Sequence, residues 1–233
     1  MTVEQVFQSI IKKRIDDENI SMFIFDAPTG SGKTYQIVKY IQDNYQNKKI
    51  FFIANLHNQI PTQEELTRDL NDNEQEKIKL QILRLSSIFE NFKSHFKAII
   101  SNKDNIQLSA FFVTNAGIIE NLSITLSILN DKPISANQEK YYFNIFYEQE
   151  KKFRAAVKIY IYENCANTKK KRKEFVQSQE WIRLLYPVID IDDKNIILMT
   201  VQKFYYPIDP LYEKAYELSS KQYENAVIFF DEF

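Results

Sequence analysis

Ala27-Pro28-Thr29-Gly30-Ser31-Gly32-Lys33-Thr34 is the stretch on which the fold of this chain turns. The chain has only three glycines, and two of them stand here, one residue apart. Where glycine is so scarce, such a pair marks a local backbone demand that other residues meet poorly. The spacing is that of a phosphate loop, with Ala27 in its opening small-residue position. A triphosphate needs backbone N–H groups converging on its oxygens. A glycine loop that opens a helix supplies them, together with the positive end of the helix dipole. In this pattern Lys33 reaches the β- and γ-phosphates and Thr34 gives its hydroxyl to Mg²⁺. A cation about 4 Å from one anionic charge gains about 4 kcal/mol at an effective dielectric near 20. Thr29, Gly30, Ser31, Gly32, Lys33 and Thr34 are therefore the candidate nucleotide contacts, with ATP and Mg²⁺ as the expected ligands.

The flanking residues fit a strand–loop–helix–strand unit. Ser21 to Asp26 reads as a short buried strand, and Val3 to Ile15 before it as an amphipathic helix. From Lys33 the pattern is helical, with Ile37, Val38, Ile41 and Tyr45 on one face. Lys49 to Ala54 is a second buried strand. A βαβ unit implies a parallel sheet, so the fold class expected is α/β, a phosphate-loop NTPase of RecA-like type.

Composition supports one sizeable core and sets limits on partners. The 233 residues are 44% apolar and 26% charged, with a net charge of -1. Any nucleic acid would have to be held by a local patch, since no global basic field exists. A single cysteine excludes an internal disulfide, and the two histidines, His57 and His95, do not suggest a metal site. No apolar run approaches the roughly 20 residues of a membrane span, and the amino terminus does not resemble a signal peptide, so a cytoplasmic location is expected.

The middle of the chain, from Gln63 to about Tyr186, reads as a mainly helical insertion. Ile78, Ile82, Leu85, Phe89, Phe92, Phe96 and Ile99 recur in alternating steps of four and three. A coiled-coil seam would do this, but three phenylalanines favour a globular core. Ile106 to Leu129 is ambiguous: Leu108 to Val113 could be a strand, with a helix following. Long helices are expected over Glu139 to Tyr162, burying Phe146, Phe153, Val157 and Tyr160, and over Lys170 to Leu185. Lys169-Lys170-Lys171-Arg172-Lys173 could contact phosphates, although a solvated loop between helices is the favoured reading. Strand signals return at Asn195 to Thr200 and at Ala226 to Phe230.

The last of these strands runs into Asp231-Glu232. A buried strand would carry Asp231 to the carboxyl edge of the sheet, where ligands bind in such folds. There Asp231 would hold Mg²⁺ through water, and Glu232 would orient or deprotonate an attacking water.

These two motifs together resemble superfamily 2 helicases and related DNA translocases. Ala27 to Thr34 is similar to their motif I, and Asp231-Glu232 to the start of motif II, the DEAD/DEAH box. Phe52-Ile53-Ala54-Asn55-Leu56 through Gln59 sits where motif Ia follows the second strand. Leu198 to Phe204 is similar to the strand-and-threonine segment before motif II. The resemblance implies nucleic-acid contacts at Asn55, His57, Thr200 and Gln202, and an adenine-reading glutamine at Gln8. It covers the first 60 residues and the last 40. Motifs I and II stand about 200 residues apart, more than a bare RecA-like domain needs, which is why the middle reads as an insertion.

The family hydrolyses ATP between two RecA-like lobes, the second supplying an arginine finger worth about 10³ to 10⁵ in rate. Only one lobe is legible here, incomplete after motif II. The expectation is a lobe that binds ATP but turns it over very slowly alone. Its partners would be a second lobe in the same or another chain, and nucleic acid, DNA before RNA. The alternatives left open are an AAA+-like regulator or remnant that only binds nucleotide, and, more weakly, a small-molecule kinase.

Overall fold

The computed structural model describes residues 3–7, 9, 12–15, 30–101, 106–131, 133–165, 168–221, 223 and 225–231. The strand expected over Ser21 to Asp26 lies outside them, as do Ala27, Pro28, Thr29, Gln8 and Glu232. The chain divides into two compact units. One holds residues 1–85, 191–207 and 217–233, and the other holds 86–190 and 208–216.

The first unit is α/β. Helical turns at Val3–Val6 and Lys12–Ile15 precede α1, Lys33–Asn44, and β1, Lys49–Ala54. Two short helices follow, α2 (Gln63–Thr67) and α3 (Asp72–Lys79), then β2, Ile82–Arg84. The chain returns to this unit for β3, Ile196–Thr200, and β4, Ala226–Asp231. The sheet order is β2-β3-β1-β4 and every pair is parallel. β1 and β3 are continuous apolar runs because a parallel strand in mid-sheet buries both faces, and from Ile50 to Ala54 and Ile196 to Thr200 every residue is buried. One face carries Ile50, Phe52, Ile196 and Leu198, packed with Ile37, Val38, Tyr40 and Ile41 of α1, Leu66 of α2 and Ile78 of α3. The predicted apolar face of α1 is therefore the face that meets the sheet.

Capping sets where α2 and α3 begin. Thr62 accepts from Glu65 N while Glu65 reaches back to Thr62 N, and Asn71 and Glu74 repeat the arrangement.

The second unit is helical: α4 (Ile88–Ser101), α5 (Ile106–Thr114), α6 (Ala116–Asp131), α7 (Ala136–Asn164), α8 (Lys169–Ser178) and α9 (Glu180–Leu185). Its core is aromatic. Phe92 has ring neighbours Phe96 at 5.2 Å, Phe146 at 5.6 Å and Phe153 at 5.7 Å, and Trp181 lies 5.4 Å from Phe111. Each such pair adds about 0.5–1.5 kcal/mol beyond its burial. Inside it, Glu150 is 1% exposed. Arg154 binds it through two nitrogens, and Tyr186 Oη donates to it at 3.0 Å. Asp209, on the second segment of this unit, takes Lys158 at 2.6 Å.

Three expectations need correction. The stripe from Ile78 to Ile99 is not one helix: Ile78 ends in α3, Ile82 opens β2, and only Phe89 to Ile99 share α4. A three-residue strand is too short to show its own period, so the helical spacing runs straight through it. Leu108 to Val113 lies in α5, not in a strand. The cationic run at Lys169 opens α8 instead of forming a loop, and the helix expected over Lys170 to Leu185 breaks at Gln179. Among the described residues, no helix is long and apolar enough to cross a membrane.

Candidate functional site

Gly30 and Gly32 have φ of 77° and 87°, the left-handed region that side-chain-bearing residues avoid. A Cβ at either would meet nothing within 4 Å. The demand for glycine here is thus set by the backbone turn and not by crowding. Gly32 is the N-cap of α1, and Gln36 N closes the first helical bond to its carbonyl at 3.1 Å. Among the described residues no side chain caps this end. The first amides of α1 therefore have no intrahelical acceptor, and they carry the positive end of the helix dipole. Ser31 Oγ is buried with no hydrogen-bond partner among the described residues. Lys33 is half-buried at the first helical position.

The decisive contact joins two ends of the sequence. Thr34 Oγ1 donates to Asp231 Oδ2 at 2.8 Å across a separation of 197 residues. Asp231 is the last residue of β4 and is 5% exposed. It sits in register with Ala54 at the end of β1, and Ala54 in turn with Thr200 at the end of β3. Thr200, Ala54 and Asp231 thus form one row along the carboxyl edge of the sheet, on strands about 4.8 Å apart. A buried carboxylate beside a hydroxyl is a hard oxygen donor pair. Among the described residues no trio of His, Cys, Asp and Glu side chains gathers as a metal cage. One carboxylate and one hydroxyl are, however, what Mg²⁺ takes from protein when phosphates and water complete its octahedron.

The remaining candidates follow the same edge. Asn55 and His57 are exposed just beyond β1. Thr200 is buried and is the N-cap of a short helix, Val201–Tyr205, which carries the exposed Gln202. Thr29, Gln8 and Glu232, also expected in the site, lie outside the described residues.

Two contributors carry no motif. Arg84, on β2, donates to the carbonyls of His57 at 3.0 Å and Pro61 at 3.2 Å, which orders the turn after β1. Gln36 is 4% exposed, and its Oε1 has no hydrogen-bond partner among the described residues. Its signal in the sequence is a polar residue interrupting the buried face of α1, one turn after the glycines. A cleft of about 180 Å³ opens beside Thr34, with Tyr35, Lys39, Pro61 and Arg68 among its walls. The Lys39 ammonium lies 4.8 Å over the Tyr35 ring.

No family model matches the chain, and no curated protein is significantly similar to it.

Proposed function

We propose that this chain is the ATP-binding lobe of a helicase-like, nucleic-acid-dependent ATPase of the superfamily 2 type, built as a phosphate-loop NTPase of RecA-like class. The observation that carries the reading is the hydrogen bond from Thr34 to Asp231. Two motifs that would share one Mg²⁺ in such an enzyme are neighbours here, although one stands near each end of the sequence.

In this reading Thr29 to Thr34 wrap the phosphates and the amides opening α1 face their oxygens. Lys33 offsets the β- and γ-phosphate charge. Thr34 and Asp231 would hold Mg²⁺, directly and through water; the ion when bound supplies charge neutralisation at the phosphates. Glu232 orients the attacking water and Gln8 reads the adenine edge. Asn55, His57 and Gln202 give the same sheet edge an exposed polar rim toward a nucleic-acid backbone, DNA before RNA, whereas Thr200, expected with them, is buried behind it. A second RecA-like lobe would supply the arginine finger.

The test is direct. A fluorescent ATP analogue should bind the full chain with Mg²⁺, and both Lys33→Ala and EDTA should weaken it at least about tenfold, which corresponds to some 1.4 kcal/mol or more of phosphate binding. Hydrolysis by this chain alone should be slow and should rise only when a second lobe is added. Binding indifferent to Lys33→Ala would refute the reading. Binding that is intact but never responds to nucleic acid or to a second lobe would favour a nucleotide-binding regulator.

A further inference from the structure

We infer that the first turns of α8 form a binding surface for the phosphate backbone of nucleic acid. The inference belongs to the helical unit and does not rest on the nucleotide reading. α8 opens Lys169-Lys170-Lys171-Arg172-Lys173, with no acidic residue in its first turn and no basic residue in its last. Helix stability favours the reverse. A cation at a helix N-terminus opposes the helix dipole, and like charges three or four apart repel one another. α3 shows the ordinary arrangement, with Asp72 and Glu74 in its first turn and Lys77 and Lys79 in its last, and α7 begins with Glu139. The charge of α8 is therefore held against local stability, as expected where the charge serves binding.

The cluster is also built, not merely frayed into solvent. Thr168 caps the helix by accepting from Lys171 N at 3.4 Å. Arg172 Nε donates to the Tyr212 carbonyl at 3.2 Å, and its guanidinium lies 4.8 Å over the ring of Tyr162. Lys169 is paired with Glu213. Lys170 and Lys171 are exposed and form no ion pair among the described residues. Glu174, next on the helix, is exposed as well. Two anchored cations thus flank two open ones, beside a tyrosine that keeps 49% of its surface exposed. Rows of cations with an exposed aromatic ring suit a strand whose phosphates run past and whose bases stack. An anionic membrane would also need apolar residues beside the charges. Those of α8 are committed inward: Val176 is fully buried and Phe175 packs on the helical core.

The experiment is a salt titration of the full chain binding a labelled oligo(dT) of about thirty nucleotides, followed by fluorescence anisotropy. Each phosphate that the protein neutralises on a single strand contributes about 0.7 to the slope of log K against log salt. Lys170→Gln/Lys171→Gln should lower the slope by about 1.4 and weaken binding about 25-fold at 0.1 M salt. The same double variant should bind the fluorescent ATP analogue as the wild type does, which separates this surface from the nucleotide site. A double variant with unchanged slope and affinity would overturn the inference. So would a wild-type chain that ignores oligo(dT) but binds phosphatidylserine vesicles.

Discussion

Thr34→Val removes one hydroxyl from the site and leaves its shape almost unchanged, so the effect can be worked out from a single hydrogen bond. Asp231 is buried at 5% exposure and accepts from Thr34 Oγ1 at 2.8 Å. A hydrogen bond to a charged group contributes about 1.5–3 kcal/mol, and its loss strands a buried carboxylate. At 1.36 kcal/mol per decade this is about a 10- to 150-fold shift in any opening that separates the two residues. The bond ties the start of α1 to the end of β4, so both segments should open more often. Hydrogen exchange by mass spectrometry, without nucleotide, reads this locally. Peptides over 33–44 and 226–231 should lose protection by that factor, with α7 as the reference from the other core. Thr34→Ser keeps the donor and should restore protection. Protection within twofold of wild type in both segments, or a serine variant as exposed as the valine one, would refute the reasoning.

Gly32→Ala should cost about 1–2 kcal/mol from left-handed strain alone, since its Cβ has open space, while Gly32→Asn should cost less; equal melting temperatures for the two variants would contradict this. Glu150→Ala should cost about 1.5–3 kcal/mol, because it removes the charged hydrogen bonds to Arg154 and leaves that residue only Asp209 at 3.8 Å. Urea unfolding followed by Trp181, the single tryptophan and part of the same core, measures that loss, and Glu150→Gln should fall between. Burial first, and Glu150 second, raise the Tyr186 pKa well above the ordinary tyrosine value. Above about pH 10 the unfolded chain therefore releases a proton that the native state keeps, and stability falls by about 1.4 kcal/mol per pH unit. The Trp181 urea midpoint should fall steadily as pH rises past about 10, and a midpoint that holds would remove the inference.

The elements legible in the sequence are those whose burial is continuous or strictly periodic. Ile37, Val38, Ile41 and Tyr45 are all buried, as are Phe146, Phe153, Val157 and Tyr160 on α7. β1 and β3 stand out as unbroken apolar runs because a parallel sheet buries both their faces; β4, which reads as an equally buried run, lies at the end of the strand order among the described residues and leaves Ile228 and Phe230 exposed. The stripe from Ile78 to Ile99 misleads because its residues serve two cores: Ile78 packs under the sheet, whereas Phe89 to Ile99 fill the helical unit. The break is marked by Ser87, whose Oγ accepts from Glu90 N at 3.1 Å and starts α4. In the site, Thr34 and Asp231 are both expected from the sequence at the carboxyl edge of the sheet, and they meet there. The role of Arg84 is not legible there, because it donates to two loop carbonyls, and such bonds leave no pattern in side-chain spacing.

The long separation between the two motifs has little bearing on how well the site can be held. The chain leaves the sheet-bearing unit after Leu85 and again after Pro207, and each return delivers a strand, first β3 and then β4. Both strands pair with β1 over five or six consecutive residues, so register is fixed by ladder bonds and by the buried faces, not by the length of the excursion. Closing a longer loop adds only about 0.6 kcal/mol per doubling of its length. That is less than the loss of the single Thr34–Asp231 bond. A helical unit with its own aromatic core can therefore be carried between the strands while Thr200, Ala54 and Asp231 stay in one row. It follows that substitutions within that core should destabilise the helical unit before they alter the geometry of the sheet edge.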